Sequence, residues 1–306
     1  MIGFVGRRLF QGLVTVLGVA VFVFVLLHLS GDPALVMSSP DATPAQIEQL
    51  RTSMGLDQPL YLQLAIYLKS IFLGDLHQSL RFNRPVVDLI AERLPNTIEL
   101  TVAAMVLAVV VAIPAGVIAA IRRNSLFDRI MVAGAMAGQA IPIFWLGLVL
   151  ILIFGVKLKI LPVYGQGGLD HLILPAITLA TIVIGRLTRM VRSSMLEVLN
   201  QDFVRTARAK GLSETRVLVL HGLRNASMPI ITLLGLQLAQ LLGGAVVTES
   251  VFAWPGVGSL VVEAVFNRDF PVVQGVTLVV STIFVVVNML VDISYVALDP
   301  RVRLES

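Results

Sequence analysis

Between two apolar runs of membrane length lies a polar, arginine-rich stretch, Asp202–Pro229, reading DFVRTARAKGLSETRVLVLHGLRNASMP. Its residue types suit non-covalent docking rather than bond making. Asn200 or Asp202 can cap a helix over Phe203–Lys210, with Arg208 and Lys210 in its last turn, where cations complement the helix dipole. Gly211 falls where a helix needs a left-handed residue to stop. Ser213 can then cap a second helix with Glu214 in its first turn. The product is a two-turn helix of about 12 Å, a glycine corner, and a helix leading into the next apolar run. On the short helix Phe203 and Ala207 make a small apolar face, and Arg205 and Arg208 a basic one. Two readings are open: a knob shaped for a groove on another protein, or a solvated loop whose arginines only mark membrane topology. The knob gains because so much capped order is unnecessary in a tether.

Polar residues inside the apolar runs form the second candidate set. Such residues are costly in lipid and default to functional hypotheses. Gln139, Gln237, Gln240 and Asn288 are the candidate lining of a substrate path, with Glu249 and Asp292 nearer the run ends, where anchoring is an equal reading. Gly235, Ala239 and Gly243 have small-xxx-small spacing, so close helix packing competes with path lining for this run. Catalysis finds no support. The histidines, His28, His77, His171 and His221, all fall at run ends or in loops, no HExxH occurs, and Asp292 has no second intramembrane aspartate. With no cysteine, disulfides, zinc–thiolate sites, iron–sulfur clusters and thiol catalysis are excluded. No lysine follows a glycine, so there is no G-x-x-x-x-G-K-[ST] phosphate loop. If ATP drives this chain, another polypeptide binds it.

The elements that must position these residues are membrane helices. The 306 residues are 57% hydrophobic and only 14% charged, with a mean hydropathy of +0.89. Soluble domains average about 25% charged residues. The runs are continuous over about 20 residues, not alternating over about 10 as in a barrel. Six spans are expected, at Leu9–Leu29, Ile98–Ile121, Ile130–Val156, Leu172–Val191, Pro229–Phe252 and Val276–Leu298. The first is too long for a signal peptide and lacks a small-x-small cleavage site, so it reads as a retained span. With the N-terminus inside, the inner segments carry 15 Lys and Arg, among them Arg186, Arg189 and Arg192, and the outer ones 8, five of them in one long loop. Both termini are therefore expected in the cytoplasm. The net charge of +4 is spread over several loops without a basic–aromatic platform, which argues against nucleic acid.

Caps accompany the spans. Asn96 with Glu99 is a capping pair for the second, and Ser125 with Asp128 one for the third, while Pro114, Pro142 and Pro175 lie inside spans as kinks or hinges. The loop Ser30–Thr97 is expected to form an external helical cap. Thr43-Pro44-Ala45-Gln46 opens one short helix ending near Gly55, and Pro59–Phe72 and Pro85–Leu94 form two more. The loop Ala253–Gly275 holds Trp254 as an interfacial anchor and a surface helix with Leu260, Val261, Ala264 and Val265 on one stripe.

The arginine-rich stretch resembles the EAA loop of permease subunits of bacterial ABC importers, within the dipeptide, oligopeptide and glutathione (peptide–nickel) subfamily. Arg205-Thr206-Ala207 stands at the Glu-Ala-Ala triplet, Gly211 matches the glycine, and His221-Gly222-Leu223-Arg224 replaces Ile-x-Leu-Pro, with the proline later at Pro229. RTARAKG followed by H-x-LRN is the peptide-subfamily variant. The likeness runs along the chain through LSGDP, GLDQPL, IPIFWLG, RLTRMVRSSMLEVL, TESVFAWPGVG, NRDFPVVQG and LDPR. It implies an all-α permease fold of type I ABC importers with six spans: residues 1–29 holding the first helix, 30–97 the external cap, 98–298 the core with a coupling loop at 192–228, and 299–306 a cytoplasmic tail. It also implies a coupling helix comprising Phe203, Arg205, Thr206, Ala207, Arg208, Ala209, Lys210, Gly211 and Leu212. The implied partners are a second homologous permease, two cytoplasmic ATPases that bind ATP and magnesium, and an external solute-binding protein. The implied place is the bacterial inner membrane, and the implied cargo a peptide, with glutathione, nickel chelates and oligosaccharides as alternatives. A secondary transporter is the remaining alternative, although no internal repeat supports it.

Overall fold

The computed structural model describes residues 2–29, 32, 34–35, 38, 41–53 and 55–298; the tail expected over 299–306 lies outside them. The described elements are helices: α1 (Ile2–Leu29), α2 (Pro44–Ser53), α3 (Leu60–Phe72), α4 (Val86–Ile121), α5 (Leu126–Ala140), α6 (Ile143–Lys157), α7 (Leu169–Leu199), α8 (Asp202–Ala209), α9 (Glu214–Phe252), α10 (Val257–Phe266) and α11 (Phe270–Leu298). α6 and α9 each contain a π-wound stretch, Ile151–Lys157 and Val217–Leu223. By length and composition α1, α4, α7, α9 and α11 can each cross a bilayer, and α5 with α6, bent by 102° at their break, counts as a sixth if the pair is one span.

That break corrects the single helix expected over Ile130–Val156, in which Pro142 is expected only to kink or hinge the span. Pro142 has no N–H to continue the ladder, and its ring forces Ile141 out of the helical region, to φ −79° and ψ 123°. Pro114 and Pro175 lie within continuous helices. A second correction concerns α4, which starts at Val86, so the short helix expected over Pro85–Leu94 is its first turns. Asn96 lies well inside α4 and is no cap; its Nδ2 donates to the Pro255 carbonyl at 2.8 Å. Helix continues through Pro95 because apolar residues on both sides of it are buried on the same helical period, and that packing outweighs one lost backbone bond. The other caps form as local rules demand. Gln46 Oε1 accepts from the Thr43 N–H at 2.8 Å while Thr43 Oγ1 accepts from the Gln46 N–H at 3.4 Å. Ser125 Oγ accepts from the Asp128 N–H at 3.2 Å, and Asp128 accepts from the Asn124 N–H at 3.0 Å.

The chain divides into two compact units. The first comprises residues up to Asn96 and Pro255–Met289. Its core joins Val86, Leu89 and Ile90 of α4 to Val257, Leu260 and Ala264 of α10 and Val272 and Val276 of α11. A smaller cluster unites Ala20 and Phe24 of α1 with Tyr67 of α3 and Leu278. Asp269, 1% exposed, accepts from the Ser79 hydroxyl and the N–H groups of Leu80 and Arg81. That carboxylate ties the turn after α3 to the start of α11.

The second unit comprises Thr97–Trp254 and the residues from Leu290 on. Along α4, Leu100, Ala104, Ala108 and Ala112 repeat every four residues and pack in one cluster with Leu179, Val183, Leu187 and Val191 of α7 and Leu241 and Ala245 of α9. Small side chains at an i, i+4 spacing let helix backbones approach closely. Trp254 belongs to this core at 1% exposure, so it is no interfacial anchor. The chain enters it through Ala253 at φ 49°, and the Trp254 N–H closes on the Glu249 carbonyl at 2.9 Å. The Glu249 side chain is fully buried and accepts from the Thr97 hydroxyl at 2.6 Å.

Candidate docking helix and polar residues of the spans

α8 is built from the residues expected, with two of its caps reassigned. Gln201 occupies the N-cap position without a side-chain bond, Asp202 is the first helical residue, and the Asn200 side chain bonds back to the Leu196 carbonyl. Ser213 stands at the N-cap of α9 but makes no capping bond either. The C-terminal corner is a complete Schellman motif. The Gly211 N–H reaches the Arg208 carbonyl at 2.9 Å and the Leu212 N–H the Ala207 carbonyl at 3.4 Å, with Gly211 at φ +75°.

Two sets of contacts hold the corner. Arg208 donates twice to Glu214, from Nε at 3.2 Å and Nη2 at 2.7 Å, which ties the end of α8 to the start of α9. The carboxylate beside it raises the Arg208 pKa further above its ordinary value, so this cation stays charged. Beneath the helix, Val204 and Ala207 are buried in the core of the second unit, and Leu212 packs against it. This corrects the apolar face. Val204 anchors α8 with Ala207, whereas Phe203 is 38% exposed. An i, i+3 pair and an i, i+4 pair share one helical side equally well, and only the third dimension tells which is covered. Asp202, Phe203, Arg205, Thr206, Arg208, Ala209, Lys210 and Gly211 all face outward. Arg205 lies 3.6 Å from Asp202, both widely exposed.

Of the polar residues in the spans, the structure brings two glutamines to arginines. Gln240 Oε1 accepts from Arg186 Nη1, and Gln139 Oε1 accepts from Arg189 Nη2 at 2.7 Å. Those arginines, counted above only as topology signals, stand on α7 itself, which continues to Leu199. Arg192 forms a two-point pair with Asp128 at 2.6 and 2.8 Å; the carboxylate is buried. Gln237 is 2% exposed and its Oε1 has no hydrogen-bond partner. Asn288, in the first unit, donates to the Phe284 carbonyl of its own helix at 2.9 Å. Gly235 lies against Val291, while nothing approaches the α-carbon of Gly243 from its side-chain direction. The arginine partners of the glutamines were missed, although the spacing of Arg186, Arg189 and Arg192 inside an apolar run was the available signal. Among the described residues no group of three or more His, Cys, Asp or Glu side chains gathers as a metal site would.

Two family models match. The one described as binding-protein-dependent transport system inner membrane component covers residues 112–304, and its N-terminal companion covers 1–101. The glutathione transport system permease protein GsiC of Escherichia coli (strain K12) is 44% identical over 304 residues, 99% of each chain. GsiC of Shigella flexneri serotype 5b is similar to the same degree, 44% identical over 99% of each chain. Among solved structures, an inward-facing MetNI methionine ABC transporter matches with a TM-score of 0.59 at 18% identity, over 70% of this chain and 97% of that one.

Proposed function

The chain belongs to the family of binding-protein-dependent transport system inner membrane components, and from that premise we propose that α8 is the helix through which ATP hydrolysis in a partner reaches the spans. The chain is a permease subunit of an ABC importer of the peptide and glutathione subfamily, with the type I permease fold. The ATPase of such an importer is a separate subunit, and a solute-binding protein is its other partner. The family resides in the bacterial inner membrane.

The finer reading is ours. Both termini and α8 face the cytoplasm, residues 30–97 form the external cap, and the chain pairs with a homologous permease above two ATPases that hold ATP and magnesium. The cargo is a di- or oligopeptide or glutathione, a choice supported by the GsiC relatives. Closure of the ATPases pushes α8, and α9, joined to it through the Gly211 corner and the Arg208–Glu214 clamp, moves with it. Gln139 and Gln240, each held by an arginine of α7, stand along the substrate path; Gln237 is buried within this chain. One observation carries the docking role: a two-turn helix fastened at its base by Val204 and Ala207 presents eight of its corner's residues outward.

Because the chain has no cysteine, single-cysteine variants report contacts without background. Ala209→Cys is expected to cross-link to the co-purified ATPase, with yield changing when ATP is trapped in the complex. Exclusive cross-linking to a second permease or to the solute-binding protein would sink the docking role.

A further inference from the structure

We propose that Arg186 and Arg189, with the side-chain amides of Gln240 and Gln139, form a carboxylate-binding station for the transported solute. The inference rests on the peptide or glutathione cargo proposed above and names the part of that cargo the spans recognise. The three arginines of α7 are set three residues apart, so each step climbs about 4.5 Å along one flank of the helix. Their partners differ in kind. Arg192 is neutralised by the buried carboxylate of Asp128. Arg186 and Arg189 meet only amide oxygens, and among the described residues the structure gives neither an acidic partner.

An amide oxygen supplies a dipole and no countercharge. Two guanidinium charges in one span without a compensating anion are expensive, and such charges mark ion or substrate pathways. Each guanidinium has five N–H donors, and the bonds to glutamine occupy one of them. A further donor points to the same chemistry. Because Gln139 Oε1 is committed to Arg189, its Nε2 is left as a donor, buried and without an acceptor. The group has donors and positive charge in excess, which is the complement of a carboxylate held by planar, two-point guanidinium contacts.

The backbone around the pair is held firmly. A side chain at Gly185, one residue before Arg186, would place its Cβ 2.4 Å from the Ala135 carbonyl, so α5 and α7 approach here as closely as backbones allow. Beside them α4, α5 and α7 leave an open recess whose lining includes Val111, Ala115, Met131, Gly138, Thr181 and Thr188. None of the four station residues lines that recess, so the station is assigned the terminal carboxylate of the solute and nothing else. Every peptide carries that carboxylate, and glutathione carries two, so one station serves cargo of varied side chains.

The test uses the whole complex in proteoliposomes with saturating solute-binding protein, and four probes: glutathione and Ala-Ala-Ala, each as free acid and as C-terminal amide. In R186Q/R189Q the ratio of acid to amide uptake, taken as kcat/KM, is expected to fall about tenfold from the wild-type ratio, with each single variant between. An unchanged ratio overturns the proposal. Loss of the second permease from the purified variant complex would assign the pair to an acidic side chain of that partner, and also overturns it. So does a wild-type preference that disappears when phosphatidylglycerol is left out of the vesicles, which would make the occupant a lipid phosphate. If the wild type takes up none of the four probes, the cargo reading itself fails and this inference falls with it.

Discussion

Replacing Gly211 separates backbone conformation from bulk at the corner of the docking helix. The residue sits at φ +75°, and no atom lies within 4 Å of where a Cβ would be added. Gly211→Ala therefore costs only the left-handed backbone penalty, about 1–2 kcal/mol. That lowers the population of the formed corner by a factor of roughly 5–30. If docking needs the corner, the ATPase binds the G211A permease more weakly by up to that factor. Asparagine enters the left-handed region more readily, so Gly211→Asn is expected to lose less despite its larger side chain. The assay is titration of the purified ATPase onto the permease in nanodiscs, followed by uptake and ATP hydrolysis in the same preparations. Equal binding of G211A and wild type would refute the reasoning. So would a larger loss in G211N than in G211A, because bulk against a partner would then govern the site rather than backbone conformation.

Three other outcomes are expected. Asp128→Asn leaves Arg192 with no anionic partner, so the purified chain should be destabilised by about 3–5 kcal/mol, read as a lowered Tm, with part of the loss recovered in D128N/R192Q. Val204→Ala removes two methyl groups beneath α8, costing about 2 kcal/mol locally, and trypsin should then cut faster at Arg205 and Arg208. Glu214→Gln breaks a clamp whose partners are 44% and 54% exposed, a kind of pair worth at most about 1 kcal/mol; Tm should barely move, and added salt should erase the remaining difference from wild type.

What the sequence disclosed was whatever depends on neighbours within a few residues. The Thr43–Gln46 box, the Ser125–Asp128 cap and the left-handed Gly211 are all set by contacts that close within one turn. Not every local cap formed, since Asp202 lies inside α8 and Ser213 makes no capping bond; the other misreadings needed distant partners. Phe203 and Val204 are adjacent apolar residues, and which is covered depends on the core that α8 rests on. Trp254 carries the composition of an interfacial anchor, yet the left-handed Ala253 turns the chain so that it enters the core. Pro95 and Pro142 look alike in a string of letters, but helix runs on past one and breaks at the other. In the spans, arginine and glutamine were legible as costly residues, while their pairing across helices was not.

The break at Pro142 bears on how the chain enters a membrane at all. α5 and α6 have 15 residues each, so each is about 22 Å long, against a hydrocarbon layer of about 30 Å. Neither half reaches across alone, and the backbone groups freed between them have no place in lipid. The segment is hydrophobic enough to be handed to the bilayer as one rod during synthesis, yet its final form can exist only where protein lines the corner. Its bending must therefore wait until α7 and α9 have arrived to pack against it. The bent segment takes its shape after α7 and α9, which follow it in the chain, and slowing synthesis beyond residue 157 is expected to lengthen the life of the unbent form.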